Sequence, residues 1–350
     1  LEMTGRWLLY GAYGYTGELV AREAVKRGLD PVLAGRDEKK TEALAAELGL
    51  EARVFGLERE EKIRSGLAGM DAVLHCAGPF SATWRPMAAA CVAEAVHYLD
   101  VTGEIQVLEG VRSLKESARR AGVHLIPAVG FDVVPTDCAA ALAVKALPAA
   151  TELDLAFHSS GGPSRGTART ALEGMDGTSA VRRDGRIRSI PMGSVRRTIP
   201  FSDRPREGVA IPWGDVSTAW YSTGVGNIRV FTVLPPKVVR VSRVLGMLMK
   251  IPGMRGLARC LIDARITGPD QEELRRGTSR IWAEARADGG AAAVVELVTP
   301  NGYTLTATAA VEAAVRVVSG QVARPPGVHT PSQAFGADFV LGLQGVERIR

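Results

Sequence analysis

Trp7-Leu8-Leu9-Tyr10-Gly11-Ala12-Tyr13-Gly14-Tyr15-Thr16-Gly17 is the stretch that decides how this chain folds. Its four leading residues have the length and apolarity of a buried strand. The Ala/Glu/Arg-rich run from Gly17 to Gly28 has helical character. Between them stands Gly-x-x-Gly-x-x-Gly, and each glycine has its own reason. Gly11 makes the tight turn, Gly14 lets the backbone approach a pyrophosphate, and Gly17 lets the helix pack close to the strand. The helix then offers free N–H groups and the positive end of its dipole to an anion. Gly11, Ala12, Tyr13, Gly14, Tyr15, Thr16 and Gly17 are the expected cradle of a dinucleotide. Such a motif is weak alone. It gains force because it follows a strand, opens a helix and begins a repeated pattern.

That pattern runs to about residue 149. Short apolar runs at 7–10, 31–34, 52–55, 72–75, 97–100 and 124–127 alternate with helical stretches, among them 37–48, 85–96 and 105–121. Strands alternating with helices imply βαβ units and a parallel sheet covered on both faces. The expected fold class is α/β, a Rossmann doubly wound parallel sheet over residues 3–149. Beyond Pro148 strand-like runs and turns dominate. Asp184-Gly185 and Asp288-Gly289-Gly290 each separate two such runs and predict hairpins. Asn301-Gly302 leads into a helical run from Tyr303 to about Val318. Residues 150–329 therefore read as an α+β substrate or dimerisation domain on a mostly antiparallel sheet. Residues 330–350 form a C-terminal segment that packs back on the Rossmann domain in this reading.

Composition narrows the function classes. A chain of 350 residues exceeds the usual span of one core, which favours two domains. With 46% hydrophobic and 23% charged residues it is not a disordered chain. Aromatics at 5% disfavour a base-stacking surface, and a formal charge of +5 permits an anionic ligand without requiring nucleic acid. Cys76, Cys91, Cys138 and Cys260 form no Cys-x-x-Cys pair. No metal is expected, and the compartment reads as reducing and cytoplasmic. Leu1 and Glu2 precede Met3 and read as a cloning remnant. Neither a signal peptide nor a transmembrane span is expected, since the first apolar run is broken by glycine and later ones are short.

The second strand ends at Ala34-Gly35-Arg36. An NAD site would place an acidic residue there for the ribose 2′-OH. Gly35 removes that side chain, and Arg36 can grip a 2′-phosphate through two parallel hydrogen bonds. NADP(H) is the preferred cofactor on these residues, with NAD(H) left open. Three later strand ends face the same crevice. They contribute Ala77, Gly78 and Pro79, then Thr102, Gly103 and Glu104, then Phe131 and Asp132. Small residues at 77 and 78 leave room for a cofactor. Thr102 and Glu104 can bond nicotinamide or substrate, or can serve as the N-cap of the helix beginning near Ile105.

These residues together resemble the saccharopine dehydrogenase-like oxidoreductases, in particular the branch of trans-acting enoyl reductases. The resemblance rests on 11–17, on Ala34-Gly35-Arg36-Asp37, on His75-Cys76-Ala77-Gly78-Pro79-Phe80, on 98–104 and on 130–137. It continues through 164–170, 214–219 and 330–339. It implies a Rossmann domain, a second domain, NAD(P)H as hydride donor and a homodimer. Tyr13 departs from the threonine common in such loops. Branches of the family reduce C=N bonds of amino-acid adducts or C=C bonds of acyl chains.

Hydride transfer needs positioning and a proton donor. No Tyr-x-x-x-Lys, no zinc spacing and no Gly-x-Ser-x-Gly elbow is present. Asp132, Arg165 and Tyr221 remain as catalytic candidates, with Tyr303 a further phenol. Arg165, Thr167 and Arg169 lie in a glycine-rich lead into a helix that begins Gly161-Gly162-Pro163-Ser164-Arg165-Gly166, suited to a carboxylate, phosphate or thioester carrier. Asp137 reads as a helix N-terminal residue, and His75, His97 and His124 as core histidines. The arginines at 182, 183, 186, 188, 196 and 197 read as a solvated hairpin face. Lys237–Arg265 reads as a broken basic amphipathic helix. It packs on its own domain, or forms an acyl-chain wall, a dimer face or a peripheral membrane contact. The resulting expectation is NADPH-dependent reduction of a C=C bond in a small-molecule, acyl or carrier-bound substrate. A C=N reductase of saccharopine type and a non-catalytic NADP sensor stand as alternatives.

Overall fold

The computed structural model describes residues 5–159, 162, 164–173, 177–234 and 253–350. The chain begins β1 (Trp7–Tyr10), α1 (Tyr15–Lys26), β2 (Val32–Gly35), α2 (Glu38–Leu48), β3 (Ala52–Val54), α3 (Glu60–Leu67), β4 (Ala72–His75), α4 (Phe80–Ala93) and β5 (His97–Asp100). It continues with α5 (Ile105–Arg112), α6 (Lys115–Ala121), β6 (His124–Ile126), α7 (Val134–Ala146), β7 (Glu152–Ser159) and α8 (Arg165–Glu173). There follow β8 (Thr178–Arg183), β9 (Arg186–Pro191), β10 (Arg196–Pro200), β11 (Pro205–Ala210), α9 (Asp215–Thr223) and β12 (Asn227–Thr232). The last described elements are α10 (Met254–Arg265), α11 (Gln271–Arg276), β13 (Thr278–Arg286), β14 (Ala292–Pro300), α12 (Gly302–Val318), β15 (Gly327–Val328), α13 (Pro331–Phe335) and β16 (Glu347–Arg348).

Two compact units divide these elements. The first runs to Val134 and takes up Tyr303–Phe339; the second is Pro135–Gly302 with Val340–Arg350. The first unit is built on a sheet of order β15-β6-β5-β4-β1-β2-β3, every pairing parallel. Strand order reverses between β1 and β4, and a crevice opens at their carboxyl ends. Alternate residues of these strands feed opposite faces. Leu8, Tyr10, Val73, Tyr98 and Leu125 pack one way, against Ile63, Met87, Cys91 and Val111 of the helices. Burial on both faces explains why the strands are apolar throughout.

This unit differs from the sequence reading in three places. β15 is a seventh strand of two residues, too short to carry a period. α3 buries only Ile63 and Leu67, so its apolar stripe is thin. The helical stretch 105–121 is two helices, α5 and α6. The unit also reclaims chain from beyond residue 300. Arg27 of α1 reaches Glu312 at 3.3 Å and the Thr308 carbonyl at 3.3 Å, which seats α12 beside the sheet it follows by nearly the whole chain.

The second unit has the order β10-β11-β12-β7-β13-β14-β16, with β8 on β12 and β9 on β8. Only β7 and β12 pair in parallel. The β8–β9 turn puts Asp184 at φ +50° and Gly185 at +73°, the two positive values a tight hairpin needs. Asp154 of β7 is fully buried. It bonds Arg229 at 2.6 Å and Arg286 at 3.1 Å, and also Arg197, which in turn reaches Glu284 at 2.5 Å. The arginine run therefore does not form one solvated face. Arg182 is buried and donates to the carbonyls of Val216 (2.8 Å) and Gly185 (2.7 Å), while Arg183, Arg186 and Arg188 are exposed.

Candidate active site

The glycine loop joins β1 to α1 at the switch in strand order. Gly11 and Ala12 both donate to the Ala34 carbonyl, at 2.8 and 3.2 Å, and Gly14 turns back to the Gly11 carbonyl at 3.0 Å. Gly11 lies at φ +82°, and a Cβ there would meet the Ala77 backbone nitrogen at 2.7 Å. A Cβ on Gly17 would stand 2.2 Å from the Gly11 carbonyl oxygen. Those two glycines are demanded by the protein itself. Gly14 is different: its Cβ would meet only that carbonyl, at 3.2 Å, and otherwise enters open space. The N-terminus of α1 has no side-chain cap. An open glycine before an uncapped helix fits the pyrophosphate of a dinucleotide, and Gly11–Gly17 would hold it. Tyr15 sits edge-on to Tyr303 of α12, ring centroids 5.0 Å apart.

At the end of β2, Gly35 lies beneath the Tyr13 ring. Arg36 is exposed and makes no hydrogen bond or ion pair among the described residues. Asp37 caps α2, accepting from the Lys40 N–H at 3.1 Å.

The ends of β4, β5 and β6 complete the crevice. Ala77 and Pro79 accept the Thr83 hydroxyl at 2.7 and 3.1 Å, and Gly78 has ordinary room for a side chain. Glu104 is the N-cap residue of α5, but its side chain makes no cap bond there; it reaches across and accepts the N–H groups of Phe80 (3.0 Å) and Ser81 (3.1 Å) at the start of α4. Thr102 is buried, and its hydroxyl accepts the Glu104 N–H at 3.1 Å. Phe131 donates its N–H to Thr306 at 3.0 Å. Asp132 lies against Gly103, and burial, reinforced by the Glu104 carboxylate, pushes its carboxyl up to about 7. The sequence reading missed Asp100. It is fully buried and accepts the N–H groups of Thr102 (2.9 Å) and Ala128 (2.8 Å) and the Tyr98 hydroxyl (2.7 Å). Burial raises it to about 6. A lone aspartate closing an apolar strand was the available signal.

Arg165 and Tyr221 belong to the second unit. Arg165 opens α8, and its side chain lies outside what the structure describes. Tyr221 is half-buried on α9, its ring 6.0 Å from the Arg182 guanidinium. Asp137 lies in the first turn of α7, buried, and accepts the Ser222 hydroxyl. His75 is buried in the core and held near 3 by desolvation. His97 and His124 are partly buried, with ring centroids 5.2 Å apart. Of the Lys237–Arg265 stretch, residues 237–252 lie outside the described residues, and α10 exposes Leu257 and Leu261. Among the described residues no group of three His, Cys, Asp or Glu is placed to hold a metal, and no helix is long and apolar enough to cross a membrane.

Comparison with known proteins meets this geometry at the same residues. The saccharopine dehydrogenase NADP binding domain family matches residues 7–126. Those residues belong to that family. This chain is 30% identical over 138 residues to a trans-acting enoyl reductase of Mycobacterium tuberculosis, covering 37% of this chain and 33% of the relative. A human saccharopine dehydrogenase-like oxidoreductase is 28% identical over 247 residues, 60% of this chain and 57% of that protein. The chain thus spans a third to little over half of the length of these relatives. In fold, apo saccharopine dehydrogenase (L-Glu forming) from Saccharomyces cerevisiae matches 99% of this chain and 100% of its own, with a TM-score of 0.68 at 12% identity. By name, the family binds NADP and these relatives are an oxidoreductase and a reductase.

Proposed function

We propose that this chain binds NADPH on its first unit and reduces the carbon–carbon double bond of an acyl-type substrate, with Asp132 as the proton donor. One observation carries the reading: a carboxyl pushed up to about 7 stands in the loop after β6, against Gly103 of the loop after β5, on the sheet whose β1 leads into the glycine loop. NADPH, when bound, supplies the hydride. The chain's own residues do the rest. The loop 11–17 holds the pyrophosphate, and the exposed Arg36 meets the 2′-phosphate. Asp132 keeps its proton near neutral pH, where an ordinary aspartate has lost it, and delivers it from the carboxyl oxygen to the substrate carbon next to the carbonyl. The C=C acceptor is favoured by the name of the mycobacterial relatives, and α10 offers apolar surface in the second unit.

The test is NADPH oxidation, followed at the nicotinamide absorbance, with an α,β-unsaturated acyl thioester in one arm and a preformed imine of an amino acid and a 2-oxo acid in the other. Turnover of the thioester, lost in Asp132→Asn with NADPH binding unchanged, supports the proposal. Turnover of the imine alone replaces it with C=N reduction. Binding of NADPH without turnover of either replaces it with a sensor.

A further inference from the structure

Gly35 closes β2 at the position from which an acidic side chain reaches the ribose hydroxyls in NAD-binding sheets. Its backbone is not in the left-handed region, so conformation does not demand glycine there. Space does. A Cβ would stand 2.4 Å from Cε1 and 3.0 Å from Cδ1 of Tyr13, and 2.9 Å from the Thr41 hydroxyl. Thr41 is fully buried and donates to the Asp37 carbonyl at 2.7 Å. The Nζ of Lys40 lies over the Tyr13 ring, 5.7 Å from its centroid. Asp37, two residues on, is committed to the Lys40 N–H and to its Nζ at 3.3 Å.

We infer that Tyr13 is a specificity-determining residue: its ring fills the volume that an acidic residue 35 needs, and so reserves this strand end for a phosphorylated ribose. The inference rests on the NADPH reading above. It has a consequence that Arg36 alone does not. Installing the acid by Gly35→Asp cannot create an NADH site while Tyr13 is present; the ring has to be removed as well.

The experiment uses the full chain and two readouts. Thermal unfolding is followed for Gly35→Ala in the native background, in Tyr13→Ala and in Thr41→Ala. The alanine is expected to lower Tm by several degrees in the native background, clearly less beside Tyr13→Ala, and undiminished beside Thr41→Ala. Nicotinamide fluorescence titration with NADPH and NADH is then run on wild type, Gly35→Asp, Tyr13→Ala and the Tyr13→Ala/Gly35→Asp double variant. The double variant is expected to lose the preference for NADPH by about tenfold or more relative to Gly35→Asp, a free-energy change that one hydrogen-bonded charge supplies. Rescue by Thr41→Ala in place of Tyr13→Ala, or NADH binding by Gly35→Asp alone, overturns the inference. Wild type that binds neither cofactor overturns the NADPH reading and the specificity role with it. The thermal cycle reports on the Tyr13–Gly35 contact without any cofactor.

Discussion

The carboxyl of Asp132 rests directly on Gly103: a Cβ at residue 103 would stand 2.5 Å from Oδ2 and 2.9 Å from the Asp132 Cβ. Glycine at 103 is therefore what allows the loop after β5 to pass beneath the loop after β6. The contact strips water from the carboxyl, and Glu104, one residue on, adds a negative charge. Both effects oppose ionisation. The same short loop thus makes room for the acid and keeps it protonated.

Asp132 predicts a pH profile. A proton donor at about 7 is spent as pH rises through that value, so kcat falls above neutrality. Asp132→Asn should cost about 10²–10⁴ in kcat and leave NADPH affinity unchanged. Stability declines with pH as well, in a lower window. The folded carboxyl titrates at about 7 against 3.8 ordinarily, so between those values the folded chain holds more protons than the unfolded one and loses stability as pH rises. Tm of wild type relative to Asp132→Asn should decline from pH 4 to pH 8, as thermal melts across that range will show.

Asp100 predicts a structural loss. Its Oδ1 accepts two N–H groups from different strand ends, one from Ala128 at φ +62°. Asp100→Ala leaves both buried donors unmet at roughly 1–3 kcal/mol each, so unfolding free energy should drop by about 3 kcal/mol or more in a urea titration. Asp100→Asn keeps one acceptor and should lose less.

Much of this could be read from the chain, for reasons that also mark the limit. The six longer strands of the first unit and both hairpins are set by local patterns: apolar runs, and turn residues with positive φ, Asp184-Gly185 in one hairpin and Gly289-Gly290 in the other. β15 was invisible because Gly327-Val328 becomes a strand only by lying against β6. α12 reads correctly as a helix, yet its partner is α1, nearly three hundred residues earlier, and no local signal states that. Glu104 stands at the N-cap of the next helix, as its position suggests, yet its carboxylate serves α4, whose start precedes it. The contact of Tyr13 with Gly35 is likewise a product of β1 and β2 being neighbours.

Asp154 predicts an asymmetry within one ion cluster. It is wholly buried, while Arg229 is 38% exposed. Asp154→Ala removes the shared anion from three arginines and should cost about 3 kcal/mol or more. Arg229→Ala leaves Asp154 with Arg197 and Arg286, and should cost about 1 kcal/mol or less. Chemical unfolding of the two variants at one pH decides it.

Arg36 predicts a cofactor-selective loss. It is exposed and makes no hydrogen bond or ion pair among the described residues, so its removal should disturb little in the fold. A charged hydrogen bond to a 2′-phosphate is worth about 1.5–3 kcal/mol, which is tenfold to a hundredfold in affinity. Arg36→Ala should weaken NADPH by that factor, leave NADH unchanged and leave Tm where it was.

The glycine loop makes the sharpest separation, because its glycines answer to different partners. Gly17→Ala drives a methyl to 2.2 Å from the Gly11 carbonyl oxygen, a backbone atom that cannot swing aside. The first unit should lose several degrees of Tm with or without cofactor. Gly14→Ala meets that oxygen at 3.2 Å and otherwise points into open space, so the unliganded chain should melt within a degree or two of wild type. If the open space is where a pyrophosphate lies, the same methyl should weaken NADPH by about tenfold or more in a fluorescence titration. Unchanged NADPH binding in Gly14→Ala would mean that the loop is a structural turn and the dinucleotide lies elsewhere.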